Sequence, residues 1–323
     1  MKAISFHRTG PLNEVLCLEE VPVPIPKENE VLIKVLASSI NPADALFVEG
    51  RYRLKPEVPQ IAGLEGAGIV VQRGENVRIT PGTLVSFRAK NVWADYVVVP
   101  EEKLYVLPSD FPVEKAAQFS LNPITAWALL QEAQVKAGDW LLLTAGASAV
   151  SKQIIQLAKR QGVKVIAVIR SHDSVRALEE LQADAIINSE EVLLSEQVAL
   201  LTDGLGVTAA LDAVGGSTGV EVVKSAAMKA TIVLYGMLSQ DLVCYHNADV
   251  VLKLLTIKGF GLDNWLASQT RQQKQAMVAA LVSLLVEPDF QMPVTGSFPL
   301  EEFRQAIQNS QIRQGRGKTL FIF

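Results

Sequence analysis

One segment limits the folds open to this chain more than any other. It runs Asp139-Trp-Leu-Leu-Leu-Thr144, then Ala145-Gly-Ala-Ser-Ala-Val-Ser151, then an apolar helical run to Gln161, then Gly162-Val-Lys-Val-Ile-Ala-Val-Ile-Arg170. The pattern predicts strand, small-residue turn, helix, glycine and strand, which is one βαβ unit. Such a turn offers backbone N–H groups and a helix N-terminus to an anion, and dinucleotide-binding proteins place their pyrophosphate there. The usual G-x-G-x-x-G pattern becomes Gly146-x-Ser148-x-x-Ser151. Serine and alanine still let a phosphate approach the backbone, although an ordinary βαβ turn without a ligand also accounts for the pattern. The second strand ends in Arg170, Ser171 and His172, where an NAD-binding unit would carry Asp or Glu. A cation there suits the 2′-phosphate of NADP; a solvated strand-end charge is the alternative.

The 323 residues are 49% hydrophobic, enough for a large core and about two domains. A net charge of -4 argues against a general nucleic-acid binder. No apolar run reaches the ~20 residues that span a bilayer. The segment Met1–Gly10 has neither a secretory apolar core nor an Arg-rich transit pattern, so a cytoplasmic location and no membrane partner are expected. Two cysteines, Cys17 and Cys244, exclude a disulfide framework and a Cys-rich structural zinc site. Neither has a nearby His pattern, so a thiol nucleophile is not expected. His7, His172 and His246 share no ligand spacing, and no metal is expected.

The first ~115 residues hold short strand-like runs, such as Val31–Leu36, Gly68–Val71 and Tyr96–Val99, separated by proline and glycine turns. They predict a mostly β unit. From about Val113, helical patterns alternate with apolar strands at Leu141–Thr144, Val163–Ile169, Ala185–Ile187, Ala209–Ala213, Thr231–Tyr235 and Thr256–Gly261. That alternation predicts a doubly wound parallel sheet. A helix over Gln269–Val286, a β-like Met292-Pro-Val, a short helix near Leu300–Asn309 and a last strand Lys318–Phe323 follow, and return to the first domain.

Several pieces now read together: Ser39-Ile-Asn-Pro-Ala-Asp44, Gly50-Arg-Tyr52, Gly63-Leu-Glu-Gly-Ala-Gly68, Asn122-Pro-Ile-Thr125, the βαβ unit, Asp212-Ala-Val-Gly-Gly216, Tyr235-Gly-Met237 and Gly259-Phe-Gly-Leu262. Their order and spacing resemble the medium-chain dehydrogenase/reductase superfamily in its zinc-free branch, where quinone oxidoreductases and 2-enoyl thioester reductases stand out. The resemblance implies an α/β fold, with a Rossmann doubly wound sheet at 118–261 inserted into a GroES-like catalytic domain at 1–117 plus 262–323. It implies NADPH, a small-molecule substrate and a homodimer joined at Thr256–Gly261. Where zinc members carry Cys and His, this chain has Asn41 and Leu64. Alcohol oxidation on a zinc Lewis acid is therefore not expected.

Without a metal, such an enzyme polarises its substrate through hydrogen bonds and needs an acid for the α-carbon. Tyr52 matches the tyrosine that enoyl reductases use for this; a loop aromatic packed on the cleft wall is the alternative. The resemblance puts Gly146, Ala147, Ser148, Ala149 and Val150 at the pyrophosphate and Arg170, Ser171 and His172 at the 2′-phosphate. It places Asn41, Asn122, Thr125, Tyr235, Gly236, Met237, Phe260, Gly261 and Leu262 around the cofactor. Asn122 reads equally well as a helix N-cap before proline. Lys318 reaches a phosphate or merely enters the last strand, Arg176 is a solvated side chain, and Glu65 is structural. Three functions stay open: alkene reduction with Tyr52 as acid, quinone reduction without it, and cofactor binding with little catalysis.

Overall fold

Proline and glycine turns interrupt backbone pairing every few residues at the start of the chain, and short strands result. A computed structural model describes residues 1–312 and 315–323. In order come β1 (Lys2–Phe6), α1 (Leu12–Val15), β2 (Leu16–Glu20), β3 (Glu30–Ser39), α2 (Pro42–Val48), β4 (Gln60–Ile61) and β5 (Glu65–Arg73). Then follow β6 (Leu84–Arg88), β7 (Tyr96–Pro100), β8 (Leu104–Val106) and α3 (Val113–Ala116). The alternating region begins with α4 (Asn122–Ala133), β9 (Trp140–Leu143), α5 (Ala149–Arg160), β10 (Lys164–Ile169), α6 (Val175–Glu180), β11 (Ala185–Asn188) and α7 (Leu194–Leu201). It continues through β12 (Val207–Asp212), α8 (Gly216–Ser225), β13 (Ala226–Leu234), α9 (Asn247–Val251), β14 (Thr256–Gly259), α10 (Leu262–Ser268) and α11 (Arg271–Leu285). The chain closes with β15 (Val294–Pro299), α12 (Phe303–Ile312) and β16 (Lys318–Ile322).

These elements form two units, residues 1–123 with 278–323, and residues 124–277. The divisions fall inside α4 and α11. The helix expected over Gln269–Val286 is α11, preceded by the separate α10. The strand expected at Met292 begins at Val294, because Pro293 has no N–H for a ladder.

The first unit holds a three-stranded antiparallel sheet, β2-β1-β4, and a larger sheet ordered β15-β16-β3-β5-β6-β8, with β7 also on β3. Strand β16 pairs with β3, Leu320 opposite Ser39, so the end of the chain completes a sheet begun near its start. One core joins Ile4, Phe6 and Phe47 to Leu300, Phe303 and Phe321. Strands β3 and β5 approach so closely at Gly68 that an added Cβ would stand 2.1 Å from the Lys34 carbonyl oxygen.

The second unit is a six-stranded sheet ordered β11-β10-β9-β12-β13-β14, every pair parallel. Leu141, Leu142 and Leu143 are all buried, as in a sheet covered on both faces. Chain order reverses between β9 and β12, and open α/β sheets bind ligands at the carboxyl ends of the strands beside such a reversal. Among the described residues no helix is long and apolar enough to cross a membrane.

Gly68→Ala is expected to cost about 1–3 kcal/mol or more by overpacking β3 against β5. A lower urea midpoint at unchanged slope would register it.

Candidate functional site

The carboxyl edge of the parallel sheet is held by one buried pair. Thr144, just past β9, donates its hydroxyl to Asp212 Oδ1 at 2.7 Å and accepts from the Ala213 N–H at 2.8 Å. Asp212 Oδ1 also accepts from the N–H groups of Val214 at 2.9 Å and Gly215 at 3.2 Å. The ends of β9 and β12 are thereby fixed on either side of the reversal in strand order.

The turn from β9 into α5 is tight against β10. Gly146 donates its N–H to the Val168 carbonyl at 2.8 Å, and a Cβ here would lie 2.9 Å from that of Ala167. Ser148 is the N-cap of α5; its Oγ accepts from the Ser151 N–H at 3.2 Å and donates to Ser151 Oγ at 3.0 Å. Ala147, Ser148, Ala149 and Val150 are half-buried. The first N–H groups of a helix have no intrahelical acceptor, and α5 adds its positive end to them. Tyr235 follows β13 with its ring half-exposed and its hydroxyl turned to the two serines. Burial and the Asp212 carboxylate push that hydroxyl up to about 12, against the hydrogen bonds from Ser151 and Ser148.

Arg170 follows β10 and is exposed, with no hydrogen bond or ion pair among the described residues. Ser171 accepts from the Asp173 N–H at 3.3 Å, and His172 Nε2 lies 2.6 Å from the Glu191 carboxylate. Arg176 pairs with Glu180 at 3.0 Å. Gly236 and the 77%-exposed Met237 continue beyond Tyr235. Phe260 donates its N–H to the Leu234 carbonyl at 2.8 Å, and Gly261 precedes Leu262, which opens α10. Arg170, the Gly146–Val150 turn, Asp212, Tyr235 and Phe260 therefore stand in sequence along one edge, in the strand order of the sheet. Unpaired helix N–H groups beside a free guanidinium fit a dinucleotide phosphate by charge and by donor set.

The other residues stand on other elements. Thr125 is buried in the first turn of α4. Asn122 is the first residue of that helix, and its buried Nδ2 has no hydrogen-bond partner. Tyr52 follows α2: its N–H donates to the Leu46 carbonyl at 2.9 Å, its ring packs on the first core, and Arg53 stands 5.7 Å from the ring centroid. Its hydroxyl makes no hydrogen bond among the described residues.

Asn41 and Lys318 belong to a buried polar network in the first unit. Lys318 Nζ donates to Asn41 Oδ1. Asn41 Nδ2 donates to Glu65 Oε2 and to Ser39 Oγ, both at 2.9 Å. Glu65 further accepts from Ser39 Oγ at 2.6 Å, Ser120 Oγ at 3.2 Å and the Leu121 N–H at 2.8 Å. Burial lowers the Lys318 amine while Glu65 and Asp44 raise it. Asp44 accepts from the Asn41 N–H at 2.7 Å through Oδ2, and its Oδ1 has no partner. Burial pushes Asp44 up to about 7; the Asn41 hydrogen bond pulls it down and Glu65 raises it further. The Lys318 amine thus sits inside this network, turned away from solvent. Sequence reasoning left Ser39, Asp44, Ser120, Thr144 and Asp212 without roles; Asp44 and Asp212, acids inside apolar segments, were the available signal.

Two family descriptions match the chain: Alcohol dehydrogenase GroES-like domain over residues 27–109, and Zinc-binding dehydrogenase over 149–282. The mitochondrial enoyl-[acyl-carrier-protein] reductase of Dictyostelium discoideum is 32% identical over 308 residues, 91% of this chain and 86% of that protein. The chain belongs to the medium-chain dehydrogenase/reductase superfamily, in its quinone oxidoreductase and enoyl reductase branch. Among solved structures in that branch, a putative NADPH:quinone reductase from Bacillus thuringiensis superposes with a TM-score of 0.91 at 28% identity, covering 100% of this chain and 98% of that one. The Escherichia coli quinone oxidoreductase complexed with NADPH superposes with a TM-score of 0.90 at 26% identity, covering 100% of both chains. The superfamily's zinc does not fit here. Leu64 offers no donor atom, and the Asn41 amide is committed to Lys318, Ser39 and Glu65.

Burial of Asp44 implies a pH dependence of stability. Its folded value lies above its ordinary 3.8, so between about 4 and 7 the folded state holds a proton that the unfolded state has released. This contribution is present below pH 4 and is lost as pH rises through 7. Asp44→Asn should flatten that decline and raise stability at pH 8 by about 1–4 kcal/mol, at roughly 1.4 kcal/mol per pH unit. Urea unfolding at pH 5 and pH 8 is the check.

Proposed function

We propose that this chain is an NADPH-dependent reductase acting on the activated C=C of an α,β-unsaturated carbonyl compound, an enoyl thioester or an enone, without zinc. The observation that carries the cofactor half is the carboxyl edge of the sheet, where the α5 N-terminus and the unpaired Arg170 lie on neighbouring strands. The substrate half is supported by enoyl reductase relatives at 28–32% identity across nearly the whole chain.

In this reading the Gly146–Val150 turn holds the pyrophosphate by backbone N–H groups. Arg170 takes the 2′-phosphate with Ser171 beside it, and His172 joins only when it leaves Glu191. Thr125, Asn122, Tyr235, Gly236, Met237, Phe260, Gly261 and Leu262 line the rest of the cofactor path. The orphaned Asn122 amide is a donor ready for a carbonyl group. Asn41 and Lys318 fix the N-terminus of α2, whose far end leads to Tyr52. The chemistry that NADPH would supply when held there is a hydride for the β-carbon. Negative charge then gathers toward the carbonyl oxygen, and the α-carbon takes a proton. Tyr52 holds that proton on a phenol that no neighbour has claimed, and delivers it.

Quinone reduction is the second reading. It is favoured by the solved quinone reductases, and it does not require Tyr52 because the ring itself carries the electrons. A homodimer joined along β14 is part of the proposal, supported by the place of β14 at the end of its sheet and by exposed Leu252 and Leu254 near it.

NADPH oxidation against an enoyl thioester, an enone and a soluble quinone separates the readings. Tyr52→Phe is expected to lower alkene turnover by about 10²-fold while leaving NADPH affinity unchanged; an unaltered rate removes Tyr52 as the acid. Arg170→Ala is expected to weaken NADPH by roughly tenfold or more and NADH little, as loss of a charge-assisted phosphate contact requires. Equal losses for both, measured by fluorescence titration, would remove Arg170 from the 2′-phosphate.

A further inference from the structure

Far in sequence from either cluster above, three chemically different side chains meet on the β1–β2 ribbon of the first unit. Ser5 lies opposite Cys17 and Ala3 opposite Glu19 in the antiparallel register. Side chains alternate along a strand, so Ser5 and His7, two residues on, share a face with Cys17 and Glu19. One ligand atom from each of His7, Cys17 and Glu19 falls within 4.8 Å of the other two. His7 Nε2 is 2.8 Å from Glu19 Oε1, Cys17 Sγ is 3.5 Å from Ser5 Oγ, and Ser5 Oγ donates to Glu19 Oε2.

We propose that His7, Cys17 and Glu19 form a binding site for a borderline divalent transition ion, of which zinc is the type. Imidazole nitrogen, thiolate sulfur and carboxylate oxygen are the three donors such an ion takes, and bonds of about 2.0–2.3 Å bring tetrahedral donors to within roughly 3.3–3.8 Å of each other. The three atoms start within 4.8 Å of one another; Cys17 and Glu19 stand on the ladder strand β2, and His7 directly follows β1. Thiolate selects against magnesium and calcium. His7 is 60% exposed in its side chain, which gives the ion a path from solvent. A fourth position faces water or the Ser5 hydroxyl. The site shares no residue with Asn41 and Leu64, which stand where zinc members carry Cys and His. Its bound ion would tie β1 to β2 and displace the thiol proton of Cys17.

The test uses the whole chain carrying Cys244→Ser, which removes the other thiol, with Co²⁺ as the spectroscopic probe. One equivalent should give a thiolate-to-cobalt charge-transfer band that Zn²⁺ abolishes by competition. Cys17→Ser should lose the band, and His7→Ala should weaken binding by about tenfold or more. Because His7 is solvent-exposed, His7→Ala keeps the fold and isolates the ligand's contribution. The thermal midpoint should also rise with Zn²⁺ in the parent and not in His7→Ala. No band in the Cys244→Ser protein, or the same affinity in His7→Ala, would overturn the proposal.

Discussion

A carboxylate sealed away from water must find donors inside the protein, and the first unit is arranged around that demand. Glu65 is fully buried and is reached by Ser39, Asn41, Ser120 and the Leu121 N–H. Those donors come from the end of β3, the cap of α2 and the segment leading into α4. Lys318 from the last strand closes the set through Asn41. Replacing any one partner strands a polar group in low dielectric, so segments distant in sequence are held to one geometry. The same network engages the Asn41 amide where zinc members carry a cysteine, so that side chain is bound to its neighbours.

In the second unit the governing constraint is topological. Each parallel strand needs a crossover, so every strand ends at the same edge and its following loop gathers there. Arg170, Ser148, Asp212, Tyr235 and Phe260 share that edge for this reason, although Ser148 and Phe260 are far apart in the chain. The Thr144–Asp212 pair then locks the two strands that flank the reversal.

Much of this was legible in advance. Periodicity alone marked β9, α5 and β10, since continuous apolar strands flanking an amphipathic helix pack well in few arrangements besides a covered parallel sheet. The small residues at Gly146 and Ala147 marked the turn. What escaped was long-range and polar. Nothing local announces that Thr144 will meet Asp212, or that Lys318, expected at a phosphate or at the entry to the last strand, will lie buried on Asn41. His7, Cys17 and Glu19 have no ligand spacing along the chain because they converge across two strands, and register is invisible to a linear motif. Ser148 and Ser151 read as departures from glycine, yet they bond each other and cap the helix, so the departure is itself structured.

The pairing of β16 with β3 sets an order of assembly. Domains generally fold as units, beginning at the N-terminus while the chain is being made. Here the unit that is started first is finished last. Its larger sheet and the Glu65 network wait for Leu320 and Lys318, and all of residues 124–277 must emerge before these arrive. The parallel sheet is complete in sequence by then. On the ribosome, the Ala37–Ser39 end of β3 therefore spends most of the synthesis time without its β16 partner, and a ribosome that stalls late releases a chain with one unit whole and the other unclosed.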